Sequence, residues 1–412
     1  MLPAPLRIPV LLALLAVPAW AEPPSGGRPP DLVVLVDGTR LEGRVVLEEA
    51  ARVVLRVGTR DRVLERSEIQ SVESRLAAWR EAMERWRHLE KEDATKIADI
   101  ATFATRLGLP EEARVFALRS IAADPENRVA RDILGHERKE KDWTLREDGR
   151  RWNWTERVKK SADFRDAWEL ETTHWVVRSN LPLLEATNAI LDLENVYAIW
   201  FDVIAPQVGA YHLDTPLQAQ IHADASSYPE LGGSRGFYDR AGNILIVNAT
   251  GGLDRSLLVH EAIHQLLSST AVLARGGKGA IAPWLDEGLA EYFRATTGGP
   301  PGRLAYDANA IDSRSMRAQV HAVETYKLSR ILTFDSGEYL STSRQDLKYA
   351  QSYNFVHFLM AADGGHFRER FFLFLRSAWN GQGSSTDLEA AIGAKVDAIE
   401  KAWVAWVRDR AR

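Results

Sequence analysis

Short runs of β-branched and apolar residues fill the chain from residue 31 to residue 75. The dipeptide Asp37-Gly38 lies between the first two runs, and this pair favours the tight turn of a two-stranded hairpin. Five short runs in so few residues predict a small β-barrel of the SH3 or Sm type over residues 31–75. Such a unit usually binds a partner or acts as a spacer. The runs are Leu32–Val36, Arg44–Leu47, Arg52–Val57, Arg62–Leu64 and Ile69–Val72.

Apolar residues recur at helical spacing over residues 76–150. The predicted helices cover Ser74–Arg87, Asp93–Leu107, Glu111–Ala122 and Asn127 to about Glu137. Small residues stand where helices would approach closely, and the segment resembles one and a half tetratricopeptide units. A peptide-binding groove is one interpretation, and a helical hairpin packed against its neighbours is the other. The barrel and this segment could therefore bind a protein or a surface.

The charged stretch Lys139–Lys160 is interpreted as a boundary, because the pattern changes after it. The predicted elements beyond it are strands at Trp175–Arg178 and Gln218–His222, a helix over Leu184–Phe201 between them, and a hairpin from Gly236 into a strand at Ile244–Asn248. From Leu253 onward the pattern is mostly helical. Residues 160–412 are therefore predicted to form an α+β domain with a small sheet first and helices after it.

Composition excludes several classes of protein. The formal net charge is −5 at pH 7, so the chain has no basic field that would gather phosphates, and nucleic acid is not an expected partner. The chain has no cysteine, which excludes disulfides, thiol nucleophiles and cysteine-ligated zinc.

The first residues carry a targeting pattern. Residues 1–21 combine the cation Arg7, an apolar run from Ile8 to Val17 and a small-residue site at Ala19–Ala21, which is typical of a signal peptide. The alternative, a retained membrane anchor, needs an apolar run of roughly 20 residues. The Pro-, Gly- and Ser-rich residues 22–30 are predicted to be a linker. We therefore expect an exported protein, periplasmic or extracellular, without a stable membrane span after cleavage.

One segment, Leu257–Leu267, contains the motif His260-Glu261-Ala-Ile-His264 in an apolar helical pattern. Residues four apart lie on one face of a helix, so the two imidazoles can bind one metal ion. Glu261 then points beside the metal, where a base that acts on a metal-bound water is needed.

A second segment carries two carboxylates at the same helical spacing. Glu287 and Glu291 are four residues apart in Trp284–Phe293, and most of their neighbours are apolar. Burying two carboxylates on one apolar helix is costly without a cation. This segment therefore predicts the remaining part of a metal site.

The two motifs together resemble the gluzincin zinc metallopeptidases, and most closely the peptidase-MA-like domains of bacterial exported proteins. The resemblance implies a thermolysin-like zincin fold and one Zn²⁺ ion, with Glu287 as the third protein ligand beside His260 and His264. It implies hydrolysis of peptide bonds in a peptide or protein substrate, with Glu261 as general base on a zinc-bound water.

The resemblance also implies roles for three further residues. Glu291 matches the outer carboxylate that orients a ligand histidine. Tyr349 matches, by position, the phenol that stabilises the oxyanion of the tetrahedral intermediate, and Tyr353 one turn later is the second choice. The alternative for either tyrosine is a core aromatic residue whose hydroxyl is hydrogen-bonded.

The chain also departs from the aminopeptidase pattern. Twenty-two residues separate His264 from Glu287, more than in aminopeptidases, and the segment that binds a free amino terminus is not visible. Exopeptidase action is therefore not expected. His222 and Tyr228, on a presumed edge strand and the loop after it, could line a groove where an extended peptide adds as a strand. The commoner alternative is that both are ordinary surface residues.

Two rival interpretations stay open. The first is a catalytically silent zincin fold that works as a binding or scaffold protein through its barrel and helical modules. The second is a buried polar network that holds no metal at all.

Overall fold

The computed structural model describes residues 28–90, 93–147, 149–229, 234–274, 281–341 and 343–411. The predicted signal peptide and most of the predicted linker lie outside these residues. The described chain is a mixed α and β structure, as predicted. No helix in the described ranges is long and apolar enough to span a membrane.

Five strands come first: β1 (Asp31–Leu35), β2 (Arg40–Glu48), β3 (Arg52–Val57), β4 (Arg60–Glu65) and β5 (Ile69–Glu73). They pair antiparallel in the order β4-β3-β2-β1-β5 around the buried side chains of Val33, Val53 and Leu55. The predicted number of strands is confirmed. The prediction of a closed barrel is wrong, because β4 and β5 lie at opposite edges of the sheet. Strand β4 exposes every residue except Leu64, and a charged, exposed edge of this kind resists further pairing.

Four helices follow: α1 (Arg75–Arg87), α2 (Ala94–Arg106), α3 (Pro110–Ala123) and α4 (Arg128–Ile133). The Ser74 hydroxyl caps α1 by accepting the Ala77 N–H. The indole of Trp86 donates to the carbonyl of Gly302, 2.5 Å away, and Trp79 and Trp86 lie in the same continuous core as the C-terminal helices. The arrangement is that of a helical segment packed against its neighbours.

The stretch interpreted as a boundary contains regular structure. Helix α4 ends earlier than predicted, near Gly135 with its φ of 65°. Three antiparallel strands then follow, β6 (Glu137–Lys139), β7 (Asp142–Glu147) and β8 (Arg150–Asn153), with a short helix α5 (Trp154–Lys160) behind them. The domain limits themselves stay a prediction.

The second sheet contains β9 (Trp168–Glu171), β10 (Trp175–Ser179), β11 (Leu217–His222), β12 (Gly236–Asp239) and β13 (Ile244–Asn248). Helix α6 (Leu183–Val203) and the short α7 (Ala205–Val208) lie between β10 and β11. The strand order is β12-β13-β11-β10-β9, with β10, β11 and β13 parallel and the two outer strands antiparallel. The presumption that His222 lies on an edge strand is therefore wrong: β11 is central, and the edges are β12 and β9.

The remaining chain is mostly helical. Its elements are α8 (Arg255–Ala274), α9 (Pro283–Thr296), β14 (Thr297–Gly298), β15 (Ala305–Tyr306), α10 (Ser313–His321), α11 (Leu328–Ile331), α12 (Ser336–Leu340), α13 (Gln345–Ala361), α14 (Arg368–Trp379), α15 (Ser385–Ile392) and α16 (Val396–Arg410). Asp254 caps α8 by accepting the N–H groups of Ser256 and Leu257. Helix α9 packs against both α8 and α13, which places the two predicted metal motifs on neighbouring helices.

Candidate metal centre

Helices α8 and α9 bring three side chains to one point. The Nε2 atoms of His260 and His264 are 3.1 Å apart, and Glu287 Oε2 is 3.4 Å from each of them. The imidazoles come from successive turns of α8, as the four-residue spacing predicts, and the carboxylate comes from the first half of α9. The sequence-predicted ligands therefore form a compact triangle of donor atoms.

The triangle fits a tetrahedral zinc ion. Ligand atoms about 2.0–2.1 Å from such an ion lie about 3.3 Å from one another, which is close to all three observed separations. Glu287 Oε2 is buried, makes no regular hydrogen bond among the described residues and faces both imidazoles at 3.4 Å. Its charge must be balanced by a cation, either a metal ion or protons on the imidazoles. Among the described residues, these three side chains form the group of histidines and carboxylates whose possible ligand atoms all lie within 4.8 Å of one another.

A second layer of carboxylates stands behind the imidazoles. Asp286 Oδ1 accepts a hydrogen bond from His264 Nδ1 at 2.5 Å, and Glu291 Oε1 lies 3.1 Å from His260 Nδ1. Glu291 had been expected from the sequence; Asp286 had not. The sequence did contain a signal for Asp286, because a carboxylate directly before Glu287 on a buried helix also needs a partner.

Each of these two carboxylates also contacts an arginine. Arg294, three residues after Glu291 on α9, pairs with that glutamate. Arg240, on the turn between β12 and β13, pairs with Asp286. Each ligand histidine is thus backed by a carboxylate, and each carboxylate by a guanidinium group, which fixes the orientation of the imidazole.

Electrostatics in the metal-free protein favour protons on both imidazoles. Burial lowers the pKa of His260, but the carboxylates of Glu287 and Glu291 outweigh burial and raise it to about 9. The pKa of His264 is raised well above its usual value by Asp286 and Glu287, again against burial. Burial raises the pKa of Glu287, but the two imidazoles outweigh it and hold this pKa well below its usual range. A metal ion must therefore displace protons to bind.

Glu261 lies beside the triangle in an open cavity of about 600 Å³. Burial raises its pKa, and the neighbouring imidazoles and the backbone N–H of Tyr238 oppose that rise. The edge strand β12 forms one wall of the cavity with Gly236, Phe237 and Tyr238. A Cβ atom on Gly236 would lie 3.4 Å from the Glu261 side chain, so the strand passes close to the carboxylate.

The two candidate tyrosines have different surroundings. Tyr349 lines the cavity, and the Gln345 side chain donates to its hydroxyl oxygen at 3.0 Å. Its own hydroxyl proton is therefore directed away from Gln345. Tyr353 is fully buried, and its hydroxyl accepts the backbone N–H of Asp312 at 2.7 Å and lies 2.8 Å from His357 Nδ1. Of the two, Tyr349 lines the cavity beside Glu261 and Tyr353 does not.

The two residues considered for a groove are part of the core. His222 is buried, stacks on Phe164 and lies 3.1 Å from the Ser227 hydroxyl. Tyr228 is also buried, and its hydroxyl donates to the carbonyl of Ser234. Neither residue lines the cavity beside Glu261, so both the groove and the surface interpretations are wrong for them.

A family model matches part of the chain. The model of a family described as a protein of unknown function (DUF1570) matches residues 254–379. This range begins at the residue that caps α8 and includes the metal triangle, Glu261 and both tyrosines. No curated protein and no solved structure matches the chain.

Proposed function

We propose that this chain is an exported zinc metallopeptidase of the gluzincin type. The observation that carries the proposal is the triangle of His260, His264 and Glu287 donor atoms, with separations suited to one Zn²⁺ ion, beside the buried carboxylate of Glu261. The triangle opens into a cavity large enough for a short stretch of polypeptide.

The zinc ion, when bound, supplies a Lewis acid that acidifies water and polarises a carbonyl group. Glu261 accepts the proton of the attacking water and delivers it to the leaving amine, and its raised pKa suits both steps. Tyr349 donates a hydrogen bond from its hydroxyl to the oxyanion that develops on the scissile carbonyl. Asp286 and Glu291 hold the imidazoles with Nδ1 toward the carboxylates, which leaves each Nε2 for the metal.

The substrate in this proposal is an extended peptide along β12. Strand β12 is the antiparallel edge of the second sheet and lines the cavity beside Glu261. An edge strand can pair through its outward backbone N–H and C=O groups with an added strand. At Gly236 the peptide would displace the Ser234 hydroxyl, which bonds to both groups. This mode of binding recognises the backbone first, so it suits peptides of varied sequence.

The test is the pair of wild-type protein and Glu261→Gln. Both are purified without added metal, and zinc content and cleavage of a peptide library are measured. We expect near-stoichiometric zinc in both proteins and a loss of about 10²–10⁴-fold in cleavage rate in the variant. Glu185→Gln, which removes the same charge from an exposed site on α6, serves as the matched control and should cleave as the wild type does.

Three results would change the assignment. Unchanged cleavage by Glu261→Gln would remove this residue from the mechanism. Zinc without any cleavage by the wild type would favour the scaffold interpretation, in which the N-terminal modules carry the function. Absence of zinc would favour a metal-free polar network.

A further inference from the structure

We propose that Arg240 is a positioning residue for the metal centre and couples the substrate edge of the sheet to the ligand His264. The inference rests on the zinc site of the proposed function and adds a residue that is neither a ligand nor in contact with one. Its link to the metal runs through Asp286.

The two oxygens of Asp286 are divided between two partners. Oδ1 accepts from His264 Nδ1 at 2.5 Å, and Oδ2 accepts from the guanidinium of Arg240. Since one carboxylate plane serves both bonds, the position of the guanidinium fixes the rotation of the carboxylate. That rotation in turn fixes the plane of the His264 ring and the direction of its Nε2 lone pair.

The negative charges around Asp286 make the bond from the Arg240 guanidinium necessary. Asp286 is buried and directly precedes Glu287, while Glu261 and Glu291 line the same cavity. Without a cation on its outer oxygen, Asp286 would be repelled by these carboxylates and would turn toward solvent. Arg240 is positioned to prevent this turn because its side chain lines the same cavity and pairs with Asp286.

Arg240 stands on a turn that is itself well anchored. The Asp239 carboxylate accepts the backbone N–H groups of Ala241 and Gly242. The side-chain amide of Gln265, on the same helix as the histidine ligands, donates to the carbonyl of Asn243 at 2.7 Å. The guanidinium is therefore presented from a fixed turn at the end of β12, the strand along which a peptide would lie.

The effect of charge alone predicts the opposite change in zinc affinity. Removing a cation near a dication would, by Coulomb's law alone, tighten zinc binding. The Arg240 side chain is 56% exposed, so water screens this repulsion, whereas the orientation of Asp286 is set by direct contact. We therefore expect the loss of positioning to outweigh the relief of repulsion.

The experiment measures zinc affinity of the full chain by competition with a chelator, without any peptide substrate. Arg240→Ala should weaken zinc binding about tenfold or more, in the range for lost outer partners of a ligand histidine. Arg240→Lys, which restores a cation beside Asp286, should bind zinc at least about threefold more tightly than Arg240→Ala. Arg235→Ala removes the same charge from the same cavity, while both Asp286 oxygens keep their partners, and should stay within about twofold of wild type.

A double-mutant cycle tests whether Arg240 acts on zinc binding through Asp286. If Arg240 acts through Asp286, then Arg240→Ala should add less than about a twofold effect in an Asp286→Asn background. Two results would overturn the inference. One is an Arg240→Ala protein that binds zinc as tightly as wild type, and the other is an Arg240→Ala change that lowers zinc affinity by the same factor in the Asp286→Asn background as in the wild type. Melting temperatures of the zinc-free proteins are measured in parallel, because a buried Asp286 carboxylate that loses its cation can also lower folding stability. A wild type that binds zinc but cleaves no peptide would refute the peptidase proposal, yet it would leave this cycle decisive.

Discussion

Gly288 is the point at which α9, the helix that carries Glu287, packs most tightly against α13. A Cβ atom at this position would lie 2.7 Å from Val356 Cγ2 and 2.9 Å from the carbonyl oxygen of Ser352, against 3.4 Å for ordinary contact. The valine can rotate, but the carbonyl belongs to the backbone of α13. In Gly288→Ala, α9 must therefore retreat by about 0.5 Å, which is the shortfall at the carbonyl, and it carries the adjacent Glu287 with it.

The sign of the stability change separates two arguments. Helix propensity alone predicts that alanine stabilises the protein by about 1 kcal/mol, whereas overpacking costs about 1–3 kcal/mol. We expect a net loss of up to about 2 kcal/mol in urea unfolding of the zinc-free protein. We also expect zinc affinity and cleavage rate to fall about tenfold or more, because displacements near 1 Å can cost about 10²-fold.

The matched control is Gly298→Ala, since a Cβ atom there would meet nothing within 4 Å. This change should alter stability by less than about 0.5 kcal/mol and leave zinc affinity unchanged. A Gly288→Ala protein that is more stable than wild type and binds zinc equally well would refute the close-packing argument.

Two further predictions concern the tyrosines and the pH dependence of metal binding. Tyr349→Phe should lower kcat by about 10²-fold with little change in unfolding free energy. Tyr353→Phe should retain kcat but lose about 1–3 kcal/mol of stability, because it removes the hydroxyl that accepts the N–H of Asp312 and contacts the buried ring of His357. The reverse pattern would move the oxyanion role to Tyr353. Zinc affinity should rise with pH from 6 to 8, by up to about tenfold per unit for each proton displaced, because the pKa of His260 is raised to about 9 and that of His264 is also raised. Chelator competition at constant ionic strength checks this, and an affinity independent of pH would contradict it.

Local patterns were sufficient for the elements that carry the site. The four-residue spacing of His260 and His264 and the apolar residues around them depend only on helix geometry, and the structure places both imidazoles as that spacing predicts. The strands of the first sheet were visible for a similar reason, because buried β-branched runs form short, regular patterns.

The features that were missed depend on pairing between distant residues. Whether β11 lies at the edge or the centre of its sheet depends on where β12 and β13 pair. The periodicity within one strand does not indicate where other strands pair. The pair of Arg240 and Asp286 joins residues 46 positions apart. Strand β6 is exposed at every residue, so it lacks the apolar alternation by which a strand is recognised.

In the proposal, the metal site and the metal-free polar network are two states of one arrangement. Without metal, protons on His260 and His264 balance two of the carboxylate charges, because the pKa values of both imidazoles are raised. One Zn²⁺ ion that displaces two protons leaves the sum of charges in the cluster unchanged. The fold therefore does not need the metal to compensate buried charge, in contrast to structural zinc sites whose binding energy drives folding. If zinc binds here as proposed, its role is therefore chemical and not structural, and the chain should stay folded when the metal is removed.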